Sequence, residues 1–379
     1  MNLGASTEQR ELRESVRRFL AERAPMTKVR ELMETADGTD PGVWRQASAQ
    51  LGLPGIAVPE EYGGAGFSFA EQAIVLEELG AALFTGPYLA SAVLAVTALL
   101  AVDDEEARKD LLPGIAAGET IATLAFTEDE GSWDPAAIRL AAAKNTAAKQ
   151  THNGWRLDGH KSFVLDGHAA DLILAVAATG TDGKLSLFAI TNTADGLTRR
   201  ALPTLDQTRK LARLAFSHTP ARLIGEPGAA RAVLDRTLDV AAVALAAEQL
   251  GGAQRALDMA VSYARVRQQF GRPVGSFQAI KHRCADLLLE VESLRSAVGY
   301  AAAAVAAGST EVPVLAPLLK AYASEVYSHV AGENIQIHGG IGFTWEHDAH
   351  LYLKRAKASE LFLGDASYHR ERLMSRIGL

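Results

Sequence analysis

A single cysteine, Cys284, stands among 379 residues. That excludes an intrachain disulfide framework and any zinc or iron–sulfur site built on cysteine. It is in keeping with a reducing compartment. Aromatic residues are scarce at 6%, and basic residues are outnumbered, 38 against 45, for a formal net charge of −7 and a pI near 5.8. Such a balance argues against non-specific nucleic-acid binding, which wants a basic face. An uninterrupted membrane span is lacking too. The charge-free stretch Gly80–Val102 is long enough to cross a bilayer, but Gly86-Pro87 interrupts it and Asp103-Asp104-Glu105-Glu106 closes it. A buried helix and no membrane partner are therefore expected. The N-terminal MNLGASTEQRELRESVRRFLAER has no apolar core of a secretory signal, so the expected location is the cytoplasm.

Alanine is abundant, with 69 copies, and 48% of the chain is hydrophobic. Strands are poor in alanine, so the composition leans helical. The length suits two or three domains, or one large one, with a sizeable core. Ser6-Thr7-Glu8-Gln9 reads as a capping box, followed by Leu12, Val16, Phe19 and Leu20 at helical spacing. Helical patterning continues through Ala70–Leu79 and Ala90–Leu112, broken by the turn-rich Pro59-Glu60-Glu61-Tyr62-Gly63-Gly64-Ala65-Gly66. After about Ile121 the texture changes. Thr151-His152-Asn153-Gly154-Trp155 and Asp182-Gly183 are turn signals, and Asp171–Ala177, Lys184–Thr191 and Leu211–Ser217 are short apolar or alternating runs. After Gly228 the pattern is helical again, in Ala230–Val266, Phe277–Ala307 and Val312–Ile335. Helices, then strands, then helices imply segregated layers and a mainly α protein with a central β-domain. The expected parts are residues 1–120, 121–226 and 227–379.

Several signatures are missing. No G-x-G-x-x-G follows a strand, and there is no P-loop lysine motif or G-x-S-x-G elbow. Gly63-Gly64-Ala65-Gly66 and Gly339-Gly340-Ile341-Gly342 have the wrong spacing for a dinucleotide fingerprint. His347 and His350 lie at i, i+3 without a clear third ligand, so no metal is expected.

Three segments carry chemistry. In Tyr263-Ala264-Arg265-Val266-Arg267-Gln268-Gln269-Phe270-Gly271-Arg272-Pro273, then Phe277-Gln278-Ala279-Ile280-Lys281-His282, a helix ends, turns and restarts. An arginine there suits a phosphate, although a surface ion pair is an equal alternative on spacing alone. In Asn334-Ile335-Gln336-Ile337-His338-Gly339-Gly340-Ile341-Gly342, glycines behind an amide permit a close backbone approach to a ligand, or merely a tight helix turn. Phe126-Thr127-Glu128-Asp129-Glu130-Gly131-Ser132-Trp133-Asp134 marks the entry to the β-domain.

Together and in this order, with Pro59-Glu60-Glu61-Tyr62-Gly63-Gly64 ahead of them, these segments resemble the acyl-CoA dehydrogenase family over essentially the whole chain. The resemblance implies an N-terminal helical domain, a central β-domain and a C-terminal four-helix domain. It implies FAD as cofactor, an acyl-CoA substrate, an electron-transfer flavoprotein or similar acceptor, and a homo- or hetero-oligomer. By that similarity Arg267 and Phe270 would hold the FAD of an adjacent subunit, and Gln336, Gly339 and Gly340 would contact the same cofactor. Phe126, Thr127, Gly131 and Ser132 would approach flavin and acyl-CoA. Phe163 and Leu165 occupy the strand that packs on the flavin.

The chain departs from the family where the family does its chemistry. Removing the α-proton of an acyl-CoA wants a positioned carboxylate, and the usual glutamate before Gly-Thr is Leu363 in Leu361-Phe362-Leu363-Gly364-Asp365. Asp365 replaces the threonine and would weaken the FAD contact there. The alternative base position falls on Ala241, and Ala242 stands where many members carry an arginine for the acyl-CoA. The tryptophan that covers the flavin is Phe163, and the hydroxyl that bonds it is Leu165. The backbone N–H of Leu363 remains to polarise a thioester carbonyl, and Leu363 and Gly364 are candidate substrate contacts. Glu248 is a weak candidate base, one for which a buried partner is the better expectation; Glu128 and Asp365 are weaker still. The pattern looks like the base-less subunits of heteromeric, steroid-type acyl-CoA dehydrogenases of actinobacteria. The alternatives are a non-catalytic subunit that completes an FAD site, and a flavin monooxygenase on the same fold.

Overall fold

The computed structural model describes residues 6–144, 154–180 and 183–379. They divide into two compact units. A helical unit comprises the chain to Glu31, Phe69–Phe84 and Ala242–Leu379; a strand-bearing unit comprises Leu32–Ser68 and Thr85–Ala241.

In the helical unit, α1 (Thr7–Arg23) begins with the expected capping box: Gln9 N–H donates to Ser6 Oγ, and Ser6 N–H donates to Gln9 Oε1. Val16, Phe19 and Leu20 form its buried face. A short α2 (Met26–Met33) follows. α4 (Phe69–Ala81) carries Glu77 and Glu78, which are held by Arg13, Arg17 and Arg295. It packs on α7 (Ala230–Val266) through glycines. A Cβ on Gly80 would stand 2.0 Å from Glu248 O, and one on Gly251 would stand 1.8 Å from Glu77 O. No larger residue permits that approach. The unit is completed by α8 (Gln278–Ala306), α9 (Val312–His338), α10 (Ala349–Leu361) and α11 (Ala366–Arg376). Ala230–Val266 is helical from end to end, as its sequence pattern predicts.

The strand-bearing unit holds α3 (Pro41–Leu51), α5 (Val96–Ala101) and α6 (Glu105–Ala116). The pattern over Ala90–Leu112 is not one helix. A buried π-helical stretch, Leu89–Ala95, runs into α5, and the chain then breaks at Val102–Asp104. The break has a local cause, since Asp104 accepts from Ala107 N–H and caps α6. Among the described residues no helix is long and apolar enough to cross a membrane.

The strands are β1 (Ala122–Ala125), β2 (Ala141–Lys144), β3 (Trp155–Leu165), β4 (Leu172–Thr179), β5 (Lys184–Thr191), β6 (Leu197–Leu202) and β7 (Leu211–Ile224). β4, β2, β3, β7 and β5 pair in succession and β5 pairs back onto β4, which closes a ring. β1 adds in parallel to β4, and β6 adds to β7. The ring is filled by Leu157, Ile173, Ala175, Phe188, Ala212 and Leu214, all essentially without exposure. Lys184–Thr191 forms a strand as expected, and Leu211–Ser217 forms one that continues to Ile224. Thr151–Asn153 and Asp182, which carry two expected turns, lie outside the described residues.

Candidate functional site

On the strand-bearing unit, the segment after β1 crosses β3. Thr127 Oγ1 donates to Ser162 O at 2.5 Å, and Ser162 N–H donates to Thr127 O at 2.9 Å. The Thr127 hydroxyl proton is thus spent within the protein. Between Lys161 and Val164 the register of β3 slips, and Phe163 stands at φ 57, half-buried. A leucine, Leu165, ends the strand with only 3% exposure. Gly131 (φ 71) passes Phe163 so closely that its Cβ would lie 3.6 Å from the ring. Trp133 packs on the buried Phe126 with centroids 5.8 Å apart. Ser132 Oγ accepts from Asp134 N–H.

Two of this loop's acids, Glu128 and Asp129, are paired within the protein. Lys161 is fully buried and donates to Phe126 O and to Glu128 Oε1, at 2.9 and 2.8 Å. Burial pushes its ammonium down to about 8, against the pull of Glu128. Burial pushes the Glu128 carboxyl up, but Lys161 and the N–H groups of Leu140 and Arg139 outweigh it and leave it below its usual range. Arg213 grips Asp129 with two nitrogens and Ser162 bonds the same carboxylate, which holds it down at about 2. Neither acid is poised to accept a proton near neutral pH; both anchor the loop.

On the helical unit, α7 does not simply turn into α8. Gln268–Gln269 (β8) and Arg272–Pro273 (β9) pair as a small hairpin. Its two tip residues, Phe270 and Gly271, both have positive φ, 54 and 77, as a tight hairpin turn demands. Phe270 is 91% exposed and touches Phe277 edge-on. Arg267 is exposed beside it. Tyr263 stacks on His338 with centroids 4.3 Å apart, and Ala260 and Ala264 pack on Ile337. These contacts bring the Arg267–Phe270 hairpin and the Gln336–Gly340 turn to one end of the unit. Gln336, Gly339 and Gly340 are exposed there. Gly339 adopts φ 65, ψ −145, a glycine conformation, with open space where a side chain would stand.

Leu363, which the resemblance sets at the base position, lies in the same unit. Leu363 is 4% exposed and left-handed at φ 64, which costs a leucine about 1–2 kcal/mol. Gly364 follows at φ 104, close against the Tyr368 ring. Asp365 caps α11 by accepting from Tyr368 N–H at 2.8 Å. His369 Nε2 is 3.0 Å from Leu363 O. Burial, reinforced by Lys320 and Arg372, depresses this imidazole to about 3, so it is neutral and donates its Nε2–H to that carbonyl. Lys320, with no exposure, reaches Gly364 O at 3.1 Å and Glu360 O at 3.3 Å. Glu248 is buried and faces Arg355, Oε1 to Nη1 at 2.8 Å, so it is a structural ion-pair partner. Ala241 and Ala242 are fully buried.

Among the described residues no cluster could hold a metal ion. His347 packs at a tilt against His338, and His350 meets Trp345 edge-on. Lys161, Lys320, Arg355 and His369 are not apparent as functional residues from the sequence. The available signal was their place in apolar stripes, such as Leu351, Tyr352, Arg355, Ala356 and Ser359 on α10.

Family models describe the chain in three pieces: the N-terminal (residues 6–119), middle (123–218) and C-terminal (230–378) domains of acyl-CoA dehydrogenase. The "Acyl-CoA dehydrogenase IpdE2" of Mycolicibacterium smegmatis is 37% identical over 374 residues, 98% of this chain and 99% of that protein. Its namesake in Mycobacterium tuberculosis is 36% identical, covering 98% and 97%. Among solved structures, a variant of the "Tcur3481-Tcur3483 steroid ACAD" superposes with TM-score 0.87 and 33% identity, covering 99% of this chain and 98% of that one. The ChsE4-ChsE5 complex of M. tuberculosis gives TM-score 0.88 and 29% identity, covering 100% and 99%.

Proposed function

We propose, from the premise that this chain belongs to the acyl-CoA dehydrogenase family, that it is one subunit of a flavin-dependent acyl-CoA dehydrogenase whose catalytic base is supplied by a partner chain. The observation that carries this reading is a contrast within the molecule. The end of the helical unit that the resemblance assigns to a neighbour's FAD is open and equipped. It has the exposed Arg267, Phe270 and Gln336, and glycines at 339 and 340 with nothing crowding them. At the base position the buried side chain is that of Leu363, which takes no proton.

The residues present fit FAD better at one place than another. A guanidinium and bare glycine backbone suit a pyrophosphate and a nucleoside. Phe126, Phe163, Leu165 and the spent Thr127 hydroxyl offer rings and apolar surface to an isoalloxazine but no free hydroxyl. Bound FAD supplies the acceptor for the hydride leaving the β-carbon. This chain's contributions are then to bind and to orient: Arg267 and Phe270 grip dinucleotide across a subunit boundary, and Ser132, Gly131 and the Leu363 N–H meet the thioester. Removal of the α-proton needs a carboxylate, and Glu248, Glu128 and Asp365 are each engaged elsewhere. Its structural neighbours include a steroid enzyme and a two-chain complex, which supports an α2β2 assembly and a bulky CoA thioester. Electrons would pass on to an electron-transfer flavoprotein or a similar acceptor.

The spent Thr127 hydroxyl and the apolar Leu165 favour a second reading, a subunit that completes its partner's FAD site and turns over nothing itself. Co-expression with the adjacent gene product, followed by flavin counting, tests the proposal. A heteromer carrying FAD is expected, with little or no flavin on this chain alone. A yellow, fully flavinated homo-oligomer would overturn it. Leu363→Glu separates the two readings: gained dehydrogenase activity in the flavin-loaded, ligand-bound complex supports the first, and no gain supports the second.

A further inference from the structure

Leu363 is 4% exposed, and among the described residues its backbone N–H has no acceptor. A donor of a buried residue left without a partner is rare in folded proteins and calls for an explanation. The carbonyls beside it are, by contrast, firmly engaged. Lys320 Nζ on α9 meets Ser324 Oγ at 2.8 Å, Gly364 O at 3.1 Å and Glu360 O at 3.3 Å. Each of the three can take one proton of the ammonium. Ser324 in turn accepts from Gln249 Nε2 on α7. From α11, His369 donates to Leu363 O at 3.0 Å. Two side chains from two helices therefore hold the backbone at φ 64, a value that leucine seldom takes unaided.

We propose that Lys320 and His369 are positioning residues, which clamp the Leu363–Gly364 turn so that the Leu363 N–H is presented, unspent, to the thioester oxygen of an acyl-CoA. The inference rests on the acyl-CoA reading above and deepens it. Neither side chain touches the ligand; each acts through the backbone. A donor fixed in advance needs no reorganisation when the carbonyl arrives, which is where such hydrogen bonds gain their effect. Carbonyl polarisation thereby survives in a chain that has lost the proton acceptor, and the two halves of the family's chemistry become separable here.

The test uses the FAD-loaded complex with its partner and cinnamoyl-CoA, whose conjugated thioester absorbs to the red when its carbonyl oxygen is hydrogen-bonded. The unaltered protein is expected to bind it with a red shift. His369→Leu in this chain should bind up to about tenfold more weakly and lose most of the shift, since this N–H is one charge-neutral donor of the kind worth up to about tenfold. His369→Gln, whose amide nitrogen can reach Leu363 O, should restore it. Lys320→Met should behave as His369→Leu does. A readout without ligand accompanies these: hydrogen exchange at Gly364 N–H, bonded to Leu361 O in the intact turn, should quicken at least tenfold in His369→Leu and return in His369→Gln. A shift and an exchange rate that survive in His369→Leu and Lys320→Met overturn the clamp alone. An unaltered complex that binds the probe without any shift, or does not bind it, overturns the acyl-CoA reading and the clamp with it.

Discussion

Arg355 and Glu248 meet at 2.8 Å with side chains 3% and 9% exposed, joining α10 to α7 across 107 residues of sequence. The pair lies next to the place where Gly80 lets α4 rest on the Glu248 carbonyl, so it ties three helices together. Taking two charges out of water is expensive, and the pair holds only as a pair. Arg355→Met removes the guanidinium from a buried carboxylate and is expected to cost about 3–5 kcal/mol. The double variant Arg355→Met, Glu248→Leu should recover most of that. Urea unfolding of the four proteins measures it; a double variant as unstable as the single one would mean that the charges matter individually.

At Asp365 structure and chemistry pull apart. The carboxylate caps α11, work that threonine also does, whereas alanine cannot. Asp365→Thr should therefore change stability by less than about 0.5 kcal/mol, and Asp365→Ala should cost about 1 kcal/mol. If FAD phosphate approaches this helix start, removing the negative charge should tighten FAD in the heteromer several-fold, less so at high salt. Flavin titration at two ionic strengths decides; equal affinity for Asp365→Thr and the unaltered chain would place the pyrophosphate elsewhere.

Much of the frame was legible because it rests on local signals. Ser6 and Gln9 face each other across one helical turn, and α7 runs in one apolar period from Ala230 to Val266. Lys184–Thr191 alternates as a strand does. The site was less so. Lys320 and Gly364 are 44 residues apart, and no periodicity joins them. The hairpin at 268–273 is too short to show a pattern. The leucine at position 363 could be read from one letter, but the left-handed backbone that holds it could not, because leucine gives no sign of positive φ. In Ala90–Leu112 the apolar period was real, and the capping preference of Asp104 won over it.

His369 sets a pH dependence whose sign is fixed by its depressed pKa. The folded imidazole titrates at about 3 against an ordinary 6.5, through burial and the nearby Lys320 and Arg372. Below 6.5 the unfolded chain takes up a proton that the folded one refuses. The stabilisation is therefore complete above 6.5 and is lost as pH falls towards 3. Between pH 6.5 and 4 the unaltered protein should lose roughly 3 kcal/mol more than His369→Gln, at about 1.4 kcal/mol per pH unit. Urea midpoints at the two pH values compare them. Equal losses would mean that His369 is accessible to protons in the folded state.

Phe270 sits where the backbone would prefer another residue. Both tip positions of its hairpin have positive φ, and asparagine before glycine is the favoured choice for such a turn. The phenylalanine buries almost nothing in the chain, being 91% exposed. On folding grounds alone Phe270→Asn should be neutral or stabilising, by up to about 1 kcal/mol, because asparagine tolerates the left-handed region. For cofactor retention the opposite is expected, since an aromatic ring that covers dinucleotide across a subunit boundary contributes of order 1–3 kcal/mol. Phe270→Asn should therefore weaken FAD retention by the heteromer at least about fivefold at limiting FAD, while the thermal midpoint of the isolated chain holds or rises. A variant that keeps its flavin would show that the exposed ring serves another contact, and the neighbour's FAD would then have to be held by Arg267 and Gln336 without it.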